Sequence, residues 1–290
     1  MKNRDIGCLL GLAVGDAVGT TVEFQQRGTF PKVTDMVGGG PFNLPAGKWT
    51  DDTSMALCLG ESLLHRFNTE DQLKNYVKWW ESGYLSSTDR CFDIGNTTKA
   101  ALSHYLATGS PHSGQKDVWS SGNGALMRMA PLPIKYRNDG MYYNYVREST
   151  KTTHATTQCI EASDLFAHIL KDALNGVNIK NHFNYGDKYS HDEINNISTG
   201  SYMRKTYEEI KGYGYAVDTL ECALWCFQNT YNFKDAILAC VNVGDDADTT
   251  AAVCGQIAGA HYGVEGIPSE WLEKIYMREY ITNLALKLGK

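Results

Sequence analysis

The sequence predicts an all-α fold, a single compact orthogonal multi-helix bundle spanning residues 1–290. Three observations lead there. Apolar residues recur with helical rather than two-residue periodicity along most of the chain. Gly7, Gly11, Gly15 and Gly19 fall at i, i+4 spacing and form one stripe of a helix. No heptad, solenoid-length repeat or low-complexity tract divides the chain.

The glycine stripe defines the first element, from Gly7 to about Thr20. Glycine costs a helix about 1 kcal/mol per residue relative to alanine, so four on one face imply a close approach by another helix or a ligand. Tight helix packing is the simpler of the two. Residues 24–48 follow as a long loop with three of the seven prolines and the run Gly38-Gly39-Gly40. Loops longer than about 12 residues in compact domains are often functional. Helices are then predicted over 52–67, 70–82, 95–108, 123–130, 140–173, 202–211, 216–228, 233–242, 248–262 and 270–288. The segment Asn175 to Thr199, rich in Asn, Asp, Gly and His, reads as a polar surface connection with room for a short helix near His191.

Composition narrows the function. The net charge is −6 and Lys and Arg form no runs, which argues against general nucleic-acid binding. A phosphate-bearing ligand would need metal ions or helix N-termini for compensation. The eight cysteines contain no CxxC pair and read as buried, reduced thiols in a reducing cytosol. Asp5 and Asp16 interrupt the apolar N-terminal run, no cleavage site follows it, and no stretch approaches the ~20 apolar residues that span a bilayer. The N-terminus is therefore expected to be a core helix of a cytoplasmic protein without membrane association. No surface helix shows an extra apolar stripe, which favours a monomer.

Two acidic strings carry the chemistry. GKWTDDTSMALCL places Thr50, Asp51 and Asp52 where a loop becomes a helix. VNVGDDADTTAAVCGQIAGAHYG places Asp245, Asp246, Asp248, Thr249 and Thr250 at the start of another helix of small residues. N-capping explains one Asp or Thr at a helix start. It does not explain two or three adjacent acids that repel one another. If both clusters converge, their carboxylates must hold protons or cations. Carboxylates and hydroxyls suit Mg²⁺, Mn²⁺ or Ca²⁺, and the absence of His and Cys ligands in both acidic clusters disfavours zinc. Gly255, Ala258 and Gly259 would let the second helix lie against the glycine stripe. A third string, SSGNGALMRMAPLPI from Ser120, offers backbone N–H groups and a helix N-terminus to an anion. An ordinary loop and cap would read the same way. His154 in TTHATTQCIEA, Glu23 beside Phe24 and Asp93 in CFDIGN are by themselves compatible with structural or surface roles.

Taken in order, GCLLGLAVGDAVGTTVEF, GKWTDDTSMALCL, CFDIGNTTKAAL, SSGNGALMRMAPLPI, TTHATTQCIEA and VNVGDDADTT resemble the ADP-ribosylglycohydrolase family, including the dinitrogenase-reductase-activating glycohydrolases. The match runs from Gly7 to Gly263. The resemblance implies a compact all-α domain with two Mg²⁺ or Mn²⁺ ions held by Thr50, Asp51, Asp52, Asp246, Asp248 and Thr249. It implies that Glu23 is a Glu near the metals on a mobile loop. Ser120, Ser121, Gly122 and Asn123 would form the turn holding the diphosphate, His154 would contact the ligand, and Asp93 would face the scissile linkage. Asp51 or Glu23 would take the proton of the attacking water, with Asp246 a further catalytic carboxylate. The implied activity is removal of ADP-ribose from modified proteins, first of all from arginine. Serine- or O-acetyl-linked ADP-ribose, a two-metal phosphatase and a non-catalytic ADP-ribose binder are the alternatives. Asp245 departs from the family's pattern, where Gly is common, and an added acid there would alter metal preference or substrate entry.

Overall fold

The computed structural model describes residues 2–182 and 184–290. Met1, and Phe183 within the polar segment expected from Asn175 to Thr199, lie outside the described residues. Fourteen α-helices follow in order: α1 Lys2–Gly19, α2 Asp51–Leu63, α3 Thr69–Ser82, α4 Asn96–Thr108, α5 Gly124–Met127, α6 Pro131–Tyr136, α7 Tyr142–Lys151, α8 Thr157–Leu174, α9 Asp192–Ser198, α10 Ala216–Gln228, α11 Phe233–Val241, α12 Ala247–Tyr262, α13 Ser269–Lys274 and α14 Arg278–Leu288. Among the described residues extended pairing is limited to three isolated bridges, Gly39 with Leu44, Gln115 with His154 and Gly122 with Tyr215.

The centre of the molecule is the antiparallel pair α1 and α12, both almost wholly buried. The glycine stripe explains the pairing. A Cβ at Gly7, Gly11 or Gly15 would overlap the carbonyl oxygen of Gly259, Gly255 or Ala251. The relation is reciprocal, since a Cβ on Gly255 or Gly259 would strike the carbonyls of Gly11 and Gly7. The helix pays its glycine penalty because only bare backbone allows this approach. At the end of the stripe, Gly19 meets the backbone of Ala247 and Asp248. The packing therefore delivers the first turn of α12 to the end of α1.

Around this pair, α11, α10 and α8 cover α12, α14 and α11 flank α1, and α2 packs on α3, α6 and α14. Seven of the eight cysteines are buried and Cys91 is half-buried, all as free thiols. Lys2–Val22 is, contrary to expectation, long and apolar enough by length and composition to cross a membrane, yet 89% of its apolar window is buried inside the fold. Asp5 is ion-paired with Arg137 at 3.0 Å, which fixes the start of α1 within the core.

Three predicted helices are broken. The stretch 140–173 is two helices, α7 and α8, separated at 152–156. There the Thr156 side chain accepts from Cys159 N and opens a new helix, and Ala155 N donates to Gln115 O at 3.1 Å. The stretch 202–211 is two 3-10 turns, the second closed by a capping box between Thr206 and Glu209. The stretch 270–288 breaks at Ile275–Met277, where Met277 has φ 51° and Tyr276 N donates to Gly47 O. The predicted helix 123–130 is only the short α5, with Pro131 starting α6. The long loop keeps its irregular backbone. Gly40 in it has φ 68° and lies so close to Thr20 that a Cβ would overlap that carbonyl.

Candidate active site

The N-termini of α2 and α12 meet beside the C-terminal part of α1. Thr50 and Asp246 hold the N-cap positions, and neither makes a side-chain cap bond. The cap of α2 comes from another helix. Asp16, in the C-terminal part of α1, accepts from Thr50 N at 2.8 Å and Thr53 N at 3.0 Å, and from the hydroxyls of Thr50 at 2.9 Å and Thr53 at 2.6 Å. Asp16 thereby satisfies two orphan backbone donors of α2 and leaves Asp51 and Asp52 free of that duty.

The Thr50 hydroxyl also reaches Asp52 Oδ2 at 3.1 Å and Asp248 Oδ2 at 3.0 Å. Three carboxylates thus surround one hydroxyl, which has a single proton to donate. Asp16, Asp52 and Asp248 each offer an oxygen within 4.8 Å of the others, and so do Glu23, Asp93 and Asp248. No Lys or Arg forms an ion pair with any of these acids among the described residues. The electrostatic consequence is consistent across the cluster. Burial raises Asp51, Asp52 and Asp248 well above the usual carboxylate range, and neighbouring acids raise them further. Burial and then Asp93 push Glu23 up to about 10, and burial and then Asp246 push Asp93 up to about 7.

A cleft of about 510 Å³ opens onto this cluster. Its lining includes Glu23, Asp51, Asp93, Asp246, Asp248 and Thr249, then Gly122, Asn123 and His154 on another wall. Thr50 and Asp52 lie fully buried behind that lining. Asn123 lines the cleft but also donates from Nδ2 to Asp246 Oδ2 at 2.8 Å and Thr219 Oγ1 at 2.9 Å. Ser120 and Ser121 are not in the lining. Their hydroxyls donate to Gln115 and Asp117 and to Thr156 respectively, so the turn presents glycine backbone and Asn123 to the cleft. Asp245 is not in the lining either. It has φ 58°, the left-handed conformation that glycine favours. Its backbone makes two 2.7 Å hydrogen bonds, one each with Phe24 and Gln25, tying the Glu23 loop to the start of α12.

The model of the ADP-ribosylglycohydrolase family matches residues 1–290. The chain belongs to the ADP-ribosylglycohydrolase family. It is 43% identical over 286 residues to the ADP-ribosylarginine hydrolase Tri1 of Serratia proteamaculans, covering 97% of this chain and 78% of that one. It is 32% identical over 291 residues to the ADP-ribosyl-[dinitrogen reductase] glycohydrolase of Rhodospirillum rubrum, covering 96% and 92%. A solved structure described as an ADP-ribosylglycohydrolase-related protein complex superimposes with a TM-score of 0.88 at 41% identity, covering 99% of this chain and 97% of that one.

The acids of this glycohydrolase suit a hard divalent cation. Asp52 Oδ1 and Asp248 Oδ1 are buried with no hydrogen-bond partner, and the donors are all carboxylate or hydroxyl oxygens. Sequence reasoning missed Asp16, Thr53 and Thr219. Asp16 left a signal, an acid inside an otherwise small and apolar helix. It also missed Trp119, which is 93% exposed in the cleft lining.

Proposed function

We propose that this protein hydrolyses the N-glycosidic bond between ADP-ribose and an arginine side chain of a modified protein. The observation that carries this reading is the 43% identity, across nearly the whole chain, to a protein named as an ADP-ribosylarginine hydrolase. The converging acids of α2 and α12 support the chemistry.

Thr50, Asp51, Asp52, Asp246, Asp248 and Thr249 would hold two Mg²⁺ or Mn²⁺ ions. When bound, such ions act as Lewis acids and neutralise the carboxylates around them. The residues of the chain do the rest. Asp51 and Glu23 line the cleft, and once bound cations displace their protons either would accept the proton of an attacking water. The surrounding carboxylates favour the positive charge that develops on the ribose as the bond to nitrogen breaks. Asp93, beside Glu23 in the lining, faces the leaving guanidine. Asn123 orients Asp246, and the Gly122-Asn123-Gly124 backbone receives the diphosphate.

The test is a comparison of substrates. Arginine-ADP-ribosylated protein should release free ADP-ribose faster than a serine-linked or O-acetyl substrate. Cleavage of the serine or O-acetyl linkage alone would overturn the arginine assignment. Release of inorganic phosphate instead would favour a two-metal phosphatase.

A further inference from the structure

His154 is almost wholly buried, yet its ring forms part of the cleft lining. Its Nδ1 lies 2.8 Å from Thr153 Oγ1. The same hydroxyl lies 2.6 Å from Arg128 Nη2. Arg128 is itself buried and forms no ion pair among the described residues. Its guanidinium donates to Gly124 O at 2.7 Å and to Thr152 Oγ1 at 3.3 Å, and stacks over the Tyr76 ring at 4.9 Å.

These contacts decide where the imidazole proton resides. A guanidinium only donates, so Thr153 accepts from Arg128. The hydroxyl keeps one proton of its own to place, and its other side-chain partner is His154 Nδ1. Were Nδ1 protonated, Thr153 would receive two donors and its own proton would have no acceptor. We propose that Arg128, acting through Thr153, locks His154, whose contact with the ligand the family resemblance already implies, as the neutral Nε2–H tautomer, the form that donates one hydrogen bond to an oxygen of the bound ADP-ribose. The donation rests on the reading of the cleft as the ADP-ribose site; the relay behind it does not.

Two further observations agree. Nε2 forms no hydrogen bond within the described residues, and glycines keep its edge open. A Cβ at Gly124 would lie 2.7 Å from Cε1 and 3.1 Å from Nε2, and one at Gly122 would lie 3.4 Å from Nε2. Burial, followed by the nearby Arg128 charge, holds the imidazole pKa down at about 3. The ring therefore donates as a neutral group. Arg128 and Thr153 are positioning residues, and the glycines of the Gly-Asn-Gly turn are required by the imidazole as well as by the ligand.

The test is a long-range ¹H–¹⁵N spectrum of the histidine rings of the full-length, ligand-free protein, with the His154 signals assigned by their loss in His154→Gln. The expected result is a protonated Nε2 and an unprotonated Nδ1. Thr153→Val should abolish that pure signature and weaken binding of ADP-ribose about tenfold. Thr153→Ser should restore both. A protonated Nδ1 in the wild type, or a Thr153→Val spectrum identical to wild type, overturns the relay. If Thr153→Val does not fold, the wild-type spectrum decides alone. Wild-type protein with the expected spectrum that binds no ADP-ribose supports the relay, and overturns the donation together with the proposed ligand.

Discussion

The Asp16 carboxylate accepts both the backbone N–H and the hydroxyl of Thr53, a residue of another helix, at 3.0 and 2.6 Å. One acid in the glycine-striped helix thus holds the start of α2. Because Asp16 performs the capping, the acids that follow Thr50 are free for the site.

Asp16→Asn tests this arrangement. The amide keeps the volume but turns an NH2 group toward donors that need an acceptor. The expected loss is about 1–3 kcal/mol for the orphaned donors, read as a lower midpoint in chemical denaturation. An unchanged midpoint would show that α2 is capped otherwise.

Gly11→Ala sets two effects of opposite sign against each other. Alanine gains about 1 kcal/mol of helix propensity. Its Cβ would overlap the Gly255 carbonyl, and overpacking costs typically about 1–3 kcal/mol. Here the obstacle is backbone that cannot rotate aside, so the net effect should be destabilisation. A gain in stability on denaturation would contradict the close α1–α12 contact.

Cation-free protein should lose stability as pH rises. Glu23 and Asp93 are shifted to about 10 and about 7 in the folded state, from ordinary values of 4.5 and 3.8. Between these limits the folded state binds more protons than the unfolded chain, so stability falls with rising pH. Asp93 contributes from about pH 4 to about pH 7, and Glu23 from about pH 4.5 to about pH 10. Thermal melts in chelator should show a falling midpoint from pH 5 to pH 8. Added Mg²⁺ should raise the midpoint more at pH 8, because binding displaces protons. A chelated midpoint that rises over this range would contradict the uncompensated acid cluster.

Asn123→Ala removes the donor to Asp246 Oδ2. Loss of such an outer hydrogen bond typically costs about 10–100-fold in metal affinity or activity. Titration of Mg²⁺ against ADP-ribose release measures it. A variant with wild-type metal dependence would remove Asn123 from the support of Asp246.

The α1–α12 pairing was legible because glycines at i, i+4 weaken a helix and are useful chiefly where another backbone comes close. The acids Asp51 and Asp52, and Asp245, Asp246 and Asp248, were legible because they exceed what a cap needs. Asp16 was not, since its partners lie 34 and 37 residues away and an acid inside an apolar run reads first as an interruption. Ser120 and Ser121 looked like ligand contacts because sequence does not reveal side-chain direction, and their hydroxyls are taken up by neighbouring groups. The break between α7 and α8 was hidden for a similar reason. Thr156 caps α8 where His154 pairs strand-like with Gln115, a contact distant in sequence.

Under the proposed function, the acids of α2 and α12 act as one cation-dependent hydrolytic centre. The most direct measurement is release of ADP-ribose from an arginine-ADP-ribosylated protein, with Mg²⁺, with chelator, and with Asp246→Ala. The predicted result is release with Mg²⁺, none in chelator, and a fall of at least about a hundredfold in the variant. Release that persists in chelator and in Asp246→Ala would contradict it.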